Sequence, residues 1–168
     1  MDPLVILING SINAGKTAVS KALCRFLPRT AHVEVDALRE FVEWMPLEET
    51  IALNLKNAAA VGANFLAYGL NVVVSYPLSS EDYRYLREQF QAFTTYCFTL
   101  SPRLEVAQGD RGERVLTDWE RERIASQYES GTPSPSFGVL IDNSDLSVEE
   151  TARQIIQHIE ADGESLIG

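Results

Sequence analysis

Short aliphatic runs alternate along the chain with segments whose apolar residues recur every three or four positions. Leu4–Ile8 is a continuous apolar run, which is typical of a strand buried on both faces of a sheet. Four further strands are predicted, over 31–35, 71–75, 95–100 and 138–141. Helices are predicted over 15–27, 48–68 and 80–90 and after 101, 117 and 147. Five buried strands separated by helices predict an α/β fold with a parallel sheet covered on both faces.

Length and charge narrow the class of protein. The chain has 168 residues, which suits a single domain, and no stretch within it reads as a linker between two. Its net charge is −10, so a nucleic-acid backbone would be repelled. No apolar run approaches the ~20 residues that span a bilayer, and two cysteines, Cys24 and Cys97, form no disulfide framework. We therefore expect a cytoplasmic protein without membrane or nucleic-acid partners, and the sequence does not indicate its oligomeric state.

The first predicted strand leads directly into a phosphate-binding loop. The octapeptide matches the Walker A pattern G-x-x-x-x-G-K-[ST] in full, with a strand before it and a helix after it, and consists of Gly10, Ser11, Ile12, Asn13, Ala14, Gly15, Lys16 and Thr17. Its backbone N–H groups and the following helix N-terminus favour an anion. Lys16 can reach the β- and γ-phosphates of a nucleotide, and the Thr17 hydroxyl can bind Mg²⁺. The alternative is a purely structural glycine turn between strand and helix, with an exposed lysine.

The class of phosphate-loop protein follows from what accompanies the loop. The sequence has no N-K-x-D guanine motif, and the loop does not fit the G-x-G-x-x-G pattern of dinucleotide folds. A chain of 168 residues is also short for a mechanical ATPase. These observations favour a small kinase that uses ATP and Mg²⁺ and closes its own lid over the phosphates.

The second predicted strand is followed by a carboxylate and an arginine. Ligands bind outside the carboxyl ends of strands in open parallel sheets, so Asp36 is predicted to orient or deprotonate an acceptor hydroxyl, or to hold Mg²⁺ through water. Arg39 lies on the same face if a helix begins here, and it can bind an anionic or polar group of the acceptor. Alternatively, Asp36 caps that helix and Arg39 is solvated. Trp44 lies in an apolar stretch that lines an acceptor pocket or belongs to the core.

The third predicted strand ends without the acidic residue that many phosphate-loop enzymes carry there. Ser75 occupies this position and Tyr76 follows it. The substitution leaves Thr17, Asp36 and water to organise the metal, and it leaves Ser75 and Tyr76 to face the acceptor.

A lid is predicted over about 109–116. Arg111 follows Gly109 and precedes Gly112, so a mobile loop can bring its charge over the transferring phosphate, with Arg114 as a weaker candidate. Asn143, just after the fifth strand, either borders the adenine or belongs to a turn before the last helix.

Taken together, these segments resemble the small-molecule P-loop kinases, namely shikimate kinase, gluconate kinase, adenylylsulfate kinase and chloramphenicol phosphotransferase, and most of all the last. The resembling segments are Ile6–Gly10, Ala14–Thr17, Val35–Leu38, Met45–Pro46 and Gly109–Arg111. The resemblance implies a P-loop fold with strand order 2-3-1-4-5, phosphate and Mg²⁺ binding by Lys16 and Thr17, Asp36 as the acceptor base and Arg111 as the lid arginine. Ser75 departs from the acidic residue of that phosphotransferase type.

The sequence thus predicts a kinase that moves the γ-phosphate of Mg·ATP to a hydroxyl of a small molecule. Antibiotics, nucleosides or nucleotides, shikimate-like acids and sugar acids remain open as acceptors. The alternative from another class is a module that binds or senses ATP without transferring phosphate, and Ser75 is its main support.

Overall fold

Strands and helices alternate throughout residues 2–110 and 115–163, the part of the chain that the computed structural model describes. The strands are β1 (Val5–Gly10), β2 (Thr30–Glu34), β3 (Asn71–Ser75), β4 (Thr95–Leu100) and β5 (Val139–Ile141). The α-helices are α1 (Lys16–Phe26), α2 (Leu47–Ala67), α3 (Ser80–Gln89), α4 (Leu104–Ala107), α5 (Asp118–Glu129) and α6 (Val148–Ala161). A 3₁₀ segment, Asp36–Val42, connects β2 to α2.

The five strands form one parallel sheet in the order β2-β3-β1-β4-β5, which confirms the predicted fold class and strand order. β1 lies at the centre, where Ile8 is in register with Ser75 of β3 and with Phe98 of β4. Because all strands run the same way, their carboxyl ends meet at one edge of the sheet. The phosphate loop, the 3₁₀ segment and the turn after β5 all start from that edge.

Each face of the sheet has its own hydrophobic core. Ile6 and Ile8 of β1 pack toward one face, in a cluster that includes α1 and α6, whereas Val5 and Leu7 pack toward the other, in a cluster that includes α2 and α3. All six residues of β1 are buried, which explains why this strand reads as a continuous apolar run rather than an alternating one.

Side-chain capping determines where three of the helices begin. Thr117 and Ser147 accept hydrogen bonds from the backbone of Glu120 and Glu150 in reciprocal capping boxes, as their spacing predicts, and Ser79 forms a third with Asp82. Within the described residues no helix is both long enough and apolar enough to cross a membrane, and both cysteines are free.

Candidate active site

The phosphate loop has a backbone shape that glycine makes possible. Gly10 has a φ of +146°, and a Cβ placed on it would lie 2.7 Å from the carbonyl oxygen of Leu100. Gly15, with a φ of +98°, turns the chain into α1. Asn13 also has a positive φ, of 59°. The loop is thus a tight turn whose backbone wraps around the N-terminus of α1, where anions are favoured.

Hydrogen bonds from three side chains, one in the loop and two from distant parts of the chain, tie the loop to its surroundings. The amide N–H of Ile12 donates to Oε1 of Gln127 in α5 at 2.8 Å. Asn13 Nδ2 donates to the carbonyl oxygens of Ala107 at 2.9 Å and Gly109 at 3.0 Å. On the opposite side, Asn143 Nδ2 donates to the carbonyl oxygen of Ala14 at 2.9 Å. The loop is therefore pre-organised and is tied directly to the segments on either side of the predicted lid.

Two side chains at the start of α1 point to where phosphates would bind. Lys16 Nζ donates to the carbonyl oxygens of Gly10 at 3.1 Å and Ser11 at 2.8 Å, so its charge lies against the loop. The Thr17 hydroxyl donates to a carboxylate oxygen of Glu34, the last residue of β2. Glu34 was not among the residues singled out by the sequence pattern, although it stands only two residues before Asp36.

A cavity of about 570 Å³ opens beside the loop. This volume lies within the usual range of small-molecule sites. Its wall is formed by the loop, by the ends of β2 and β3, and by the turn that leads into α6; the residues of that turn and helix start are Asn143, Leu146, Ser147, Val148 and Thr151. Ile12, Asn13, Gly15, Lys16 and Thr17 of the predicted loop line the cavity, whereas Gly10, Ser11 and Ala14 lie behind it.

Asp36 lies between this cavity and a second, much smaller one. Among the described residues, Asp36 is the one that lines both cavities. Although part of the residue is exposed, desolvation of the carboxyl group raises its pKa above the ordinary value; the nearby charges of Lys16 and Arg39 oppose that shift, and Glu34 adds to it. Lys16 and Asp36 both line the larger cavity, and the charge of Lys16 acts on the Asp36 carboxyl group.

Arg39 and Tyr76 line the smaller cavity together with Asp36. The 3₁₀ segment brings Arg39 to the same side as Asp36, as expected for residues three apart. Burial, together with the charges of Asp36 and Asp82, raises the pKa of the Tyr76 phenol to about 12. Tyr76 therefore stays a neutral hydroxyl at physiological pH, and it can both donate and accept a hydrogen bond.

Two predicted acceptor residues lie outside both cavities. Ser75 is buried and its hydroxyl lies 2.8 Å from Nε2 of His32, so it is engaged inside the sheet. Trp44 is 80% exposed and does not line either cavity. Desolvation lowers the pKa of His32, which favours the neutral ring beside Ser75.

Arg111 and Arg114 lie outside the described residues. The segments that flank them are anchored, because Asp110 Oδ1 accepts from the backbone N–H of Leu116 at 3.2 Å and from Arg121 Nη2 at 3.0 Å. The lid arginines remain a prediction from the sequence.

The donor set around Thr17 suits a hard cation bound mainly by a nucleotide. Among the described residues there is no cluster of three or more His, Cys, Asp or Glu side chains that could hold a metal ion. Mg²⁺ is usually held by one or two protein oxygens together with phosphates and water. A hydroxyl and a carboxylate in contact, Thr17 and Glu34, match that requirement.

Comparison with known proteins supports the fold but does not identify a family. The sequence matches no protein-family model, and no curated protein matches it. Among solved structures, it is similar to the APS kinase of Mycobacterium tuberculosis, in complex with AMPPNP and APS (TM-score 0.71, 15% identity, 95% of this chain and 98% of that one). It is also similar to shikimate kinase from Bacteroides thetaiotaomicron (TM-score 0.67, 18% identity, 94% of this chain and 98% of that one). A third similar structure is a gluconokinase from Sinorhizobium meliloti (TM-score 0.66, 21% identity, 97% of this chain and 99% of that one). These neighbours are P-loop small-molecule kinases, and at such identities the likeness establishes the fold.

Proposed function

We propose that this protein is an ATP-dependent phosphotransferase that moves the γ-phosphate of Mg·ATP to a hydroxyl group of a small molecule. One observation carries the proposal: Lys16, Thr17 and Asp36 line the same cavity, at the carboxyl edge of a P-loop kinase fold. A phosphate-binding loop and a candidate general base that line one cavity are what a transfer between two bound molecules requires.

The nucleotide half of the site would be built from the loop and the turn before α6. The loop amides and Lys16 would bind the phosphates, because they supply hydrogen-bond donors and positive charge at a helix N-terminus. The adenine ring of ATP would lie toward Asn143, Leu146 and Val148, which line the same cavity. Asn143 also donates a hydrogen bond to the carbonyl oxygen of Ala14, so it would connect the adenine site to the phosphate loop.

The metal would be held at Thr17 and Glu34. When bound, Mg²⁺ would neutralise charge on the transferring phosphate. Glu34 accepts a hydrogen bond from the Thr17 hydroxyl, which leaves the lone pairs of the hydroxyl oxygen free to face a cation. Asp36 was also predicted as a metal residue, but the contact with Thr17 is made by Glu34, so we assign Asp36 to the acceptor.

Asp36 would orient the acceptor hydroxyl and take its proton. The acceptor oxygen forms the new bond to the γ-phosphorus as the bond from that phosphorus to the β–γ bridging oxygen breaks, and ADP leaves. The raised pKa of Asp36 suits this role, because a carboxylate with a higher pKa is a stronger base and takes a hydroxyl proton more readily. Arg111 would neutralise the developing charge when the lid closes.

The position of Ser75 favours one alternative, a module that binds ATP without transferring phosphate. Its hydroxyl is bound to His32, and no carboxylate stands at the end of β3. Glu34 in the adjacent strand offers the missing carboxylate and makes the transferase the better proposal.

Release of ADP from Mg·ATP tests the proposal directly. The protein is incubated with pools of antibiotics, nucleosides, shikimate or sugar acids, and Lys16→Ala serves as the blank. ADP release with one pool, absent from the blank, is the expected result. No ADP release in any pool, with ATP binding intact, would favour the binding module instead.

A further inference from the structure

The smaller cavity beside Asp36 is lined by both polar and aliphatic residues. It is enclosed by the end of β2, the 3₁₀ segment, α2 and Tyr76, and its volume is about 10 Å³. That is room for one group the size of a water molecule. Since Asp36 lines this cavity and the larger one, an acceptor whose reacting hydroxyl lies at Asp36 can place one adjoining hydroxyl in the smaller cavity.

Asn54 of α2 provides an unpaired hydrogen-bond acceptor there. Its side chain lines the smaller cavity and is only 4% exposed, and its Oδ1 has no hydrogen-bond partner among the described residues. Thr50, one turn earlier, donates its hydroxyl proton to the carbonyl oxygen of Leu47 and needs no ligand. An unpaired buried oxygen destabilises the folded state, and a donor supplied by a ligand removes that penalty.

Arg39 provides an unpaired positive charge at the entrance. It lines the smaller cavity yet is itself exposed, and among the described residues it forms no ion pair. The exposed aromatic side chains of the region do not contribute to the walls, since Phe41 is 83% exposed and neither it nor Trp44 lines a cavity. The acceptor side therefore combines polar groups, Asp36, Asn54 and Tyr76, with the exposed positive charge of Arg39.

We propose that the acceptor is a small polyhydroxylated anion: Asp36 binds the reacting hydroxyl, Asn54 accepts a hydrogen bond from a neighbouring hydroxyl, and Arg39 pairs with a carboxylate, sulfate or phosphate group. This inference rests on the proposed phosphotransferase function and narrows its substrate class. It excludes acceptors that are mainly apolar or uncharged.

Matched pairs of acceptors test the substrate class. Gluconate is compared with glucitol, which lacks the negative charge, and with hexanoate, which lacks the hydroxyls. Shikimate is compared with its methyl ester, and chloramphenicol represents an apolar acceptor. We expect ADP release with at least one hydroxylated anion and a rate at least about tenfold lower with its uncharged or hydroxyl-free partner.

Variants then test the assigned residues with the anion that is phosphorylated. Asn54→Leu should raise the KM for that acceptor about tenfold or more and leave the KM for ATP unchanged. Asn57→Leu, an exposed asparagine on the same helix, is the matched control. Arg39→Met should raise the same KM, Arg39→Lys should restore part of the loss, and Arg84→Met on α3 should have no effect. Thermal melting of each variant checks that it folds.

The outcomes separate this inference from the proposed function. Equal turnover of an uncharged partner, turnover of chloramphenicol alone, or turnover of no anion while Mg·ATP still binds would overturn the substrate class. An unchanged KM in Asn54→Leu would show that Asn54 holds only a water molecule. If the native protein did not bind Mg·ATP, the proposed phosphotransferase function itself would be overturned instead.

Discussion

Two carboxylates at the end of β2 have different surroundings, and this difference assigns them different roles. Glu34 contacts the hydroxyl of Thr17 at the start of α1, on the phosphate side. Asp36 lies two residues later, between the two cavities, where desolvation raises its pKa. When neighbouring acids are held in unlike environments, they can take different roles, here one beside the phosphates and the metal and the other in proton transfer.

Replacing Glu34 by Gln should weaken Mg²⁺ binding at the site without abolishing nucleotide binding. The amide keeps a hydrogen-bond acceptor for Thr17 but loses the negative charge that attracts Mg²⁺. We expect the Mg²⁺ concentration for half-maximal activity to rise by about tenfold to a hundredfold, as for other residues that support a metal ligand. Magnesium titration of ADP release measures it. Glu40→Gln, an exposed residue of the 3₁₀ segment, should behave as the native protein does, and an unshifted titration in Glu34→Gln would remove Glu34 from the metal site.

Some site residues were predictable from the sequence and others were not. Lys16, Thr17 and Asp36 follow from a complete motif and from a residue at a strand end, and the structure places all three at one cavity. Glu34 was missed because only the strand register shows that its side chain lies beside Thr17. Asn54 carried a usable signal: it lies one turn from Ala58 on the face of α2 predicted to be buried, where a polar residue needs a partner.

Two strands and the starts of two helices were predicted to the residue. β3 and β4 have the bounds expected from their apolar runs, and the capping boxes of Thr117 and Ser147 locate the starts of α5 and α6. The helix expected from Ser101 begins later, at Leu104, and is only one turn long. The neighbours of each strand could not be derived from the pattern, since five similar apolar strands allow several orders; the order came from the resemblance.

At the level of elements, Gly62 controls how closely α2 packs on the sheet. A Cβ at this position would lie 2.9 Å from Cζ of Phe90, whose ring is fully buried and cannot move aside freely. Gly62→Ala gains about 1 kcal/mol of helix propensity, but overpacking costs about 1–3 kcal/mol. We expect a net loss near 1 kcal/mol, or about 2–4 °C in Tm for a chain of this size.

The matched control for Gly62→Ala is Asn57→Ala, at an exposed position of the same helix. It gains helix propensity without a steric cost, so its Tm should rise slightly. Thermal melting of both variants and of the native protein measures these changes in Tm. A Tm for Gly62→Ala above that of the native protein would show that Phe90 yields and that the packing of α2 is not limited at this contact.

For the whole molecule, the pKa of Asp36 links catalysis to stability. Its pKa in the folded state lies above the ordinary value of 3.8, so the folded protein binds this proton more tightly than the unfolded chain does. The associated stability is fully present below the unfolded pKa and is lost as pH rises through the folded pKa. Ionisation of this carboxyl group therefore destabilises the fold, as is common for groups that a site needs for its chemistry.

Asp36→Asn should consequently separate nucleotide binding, transfer and stability in one variant. Without ligand, its Tm at pH 7 should equal or slightly exceed that of the native protein, and the difference should shrink toward pH 3.8. Mg·ATP at about a hundred times its Kd should stabilise both proteins by about 2.7 kcal/mol, or roughly 5–11 °C. Acceptor-dependent ADP release should fall by about 10²–10⁴-fold in the variant. Lys16→Ala is the contrasting control, because losing the loop's positive charge should abolish the thermal shift. Full transfer by Asp36→Asn would show that another group takes the acceptor proton, and loss of its thermal shift would place Asp36 in the nucleotide half of the site.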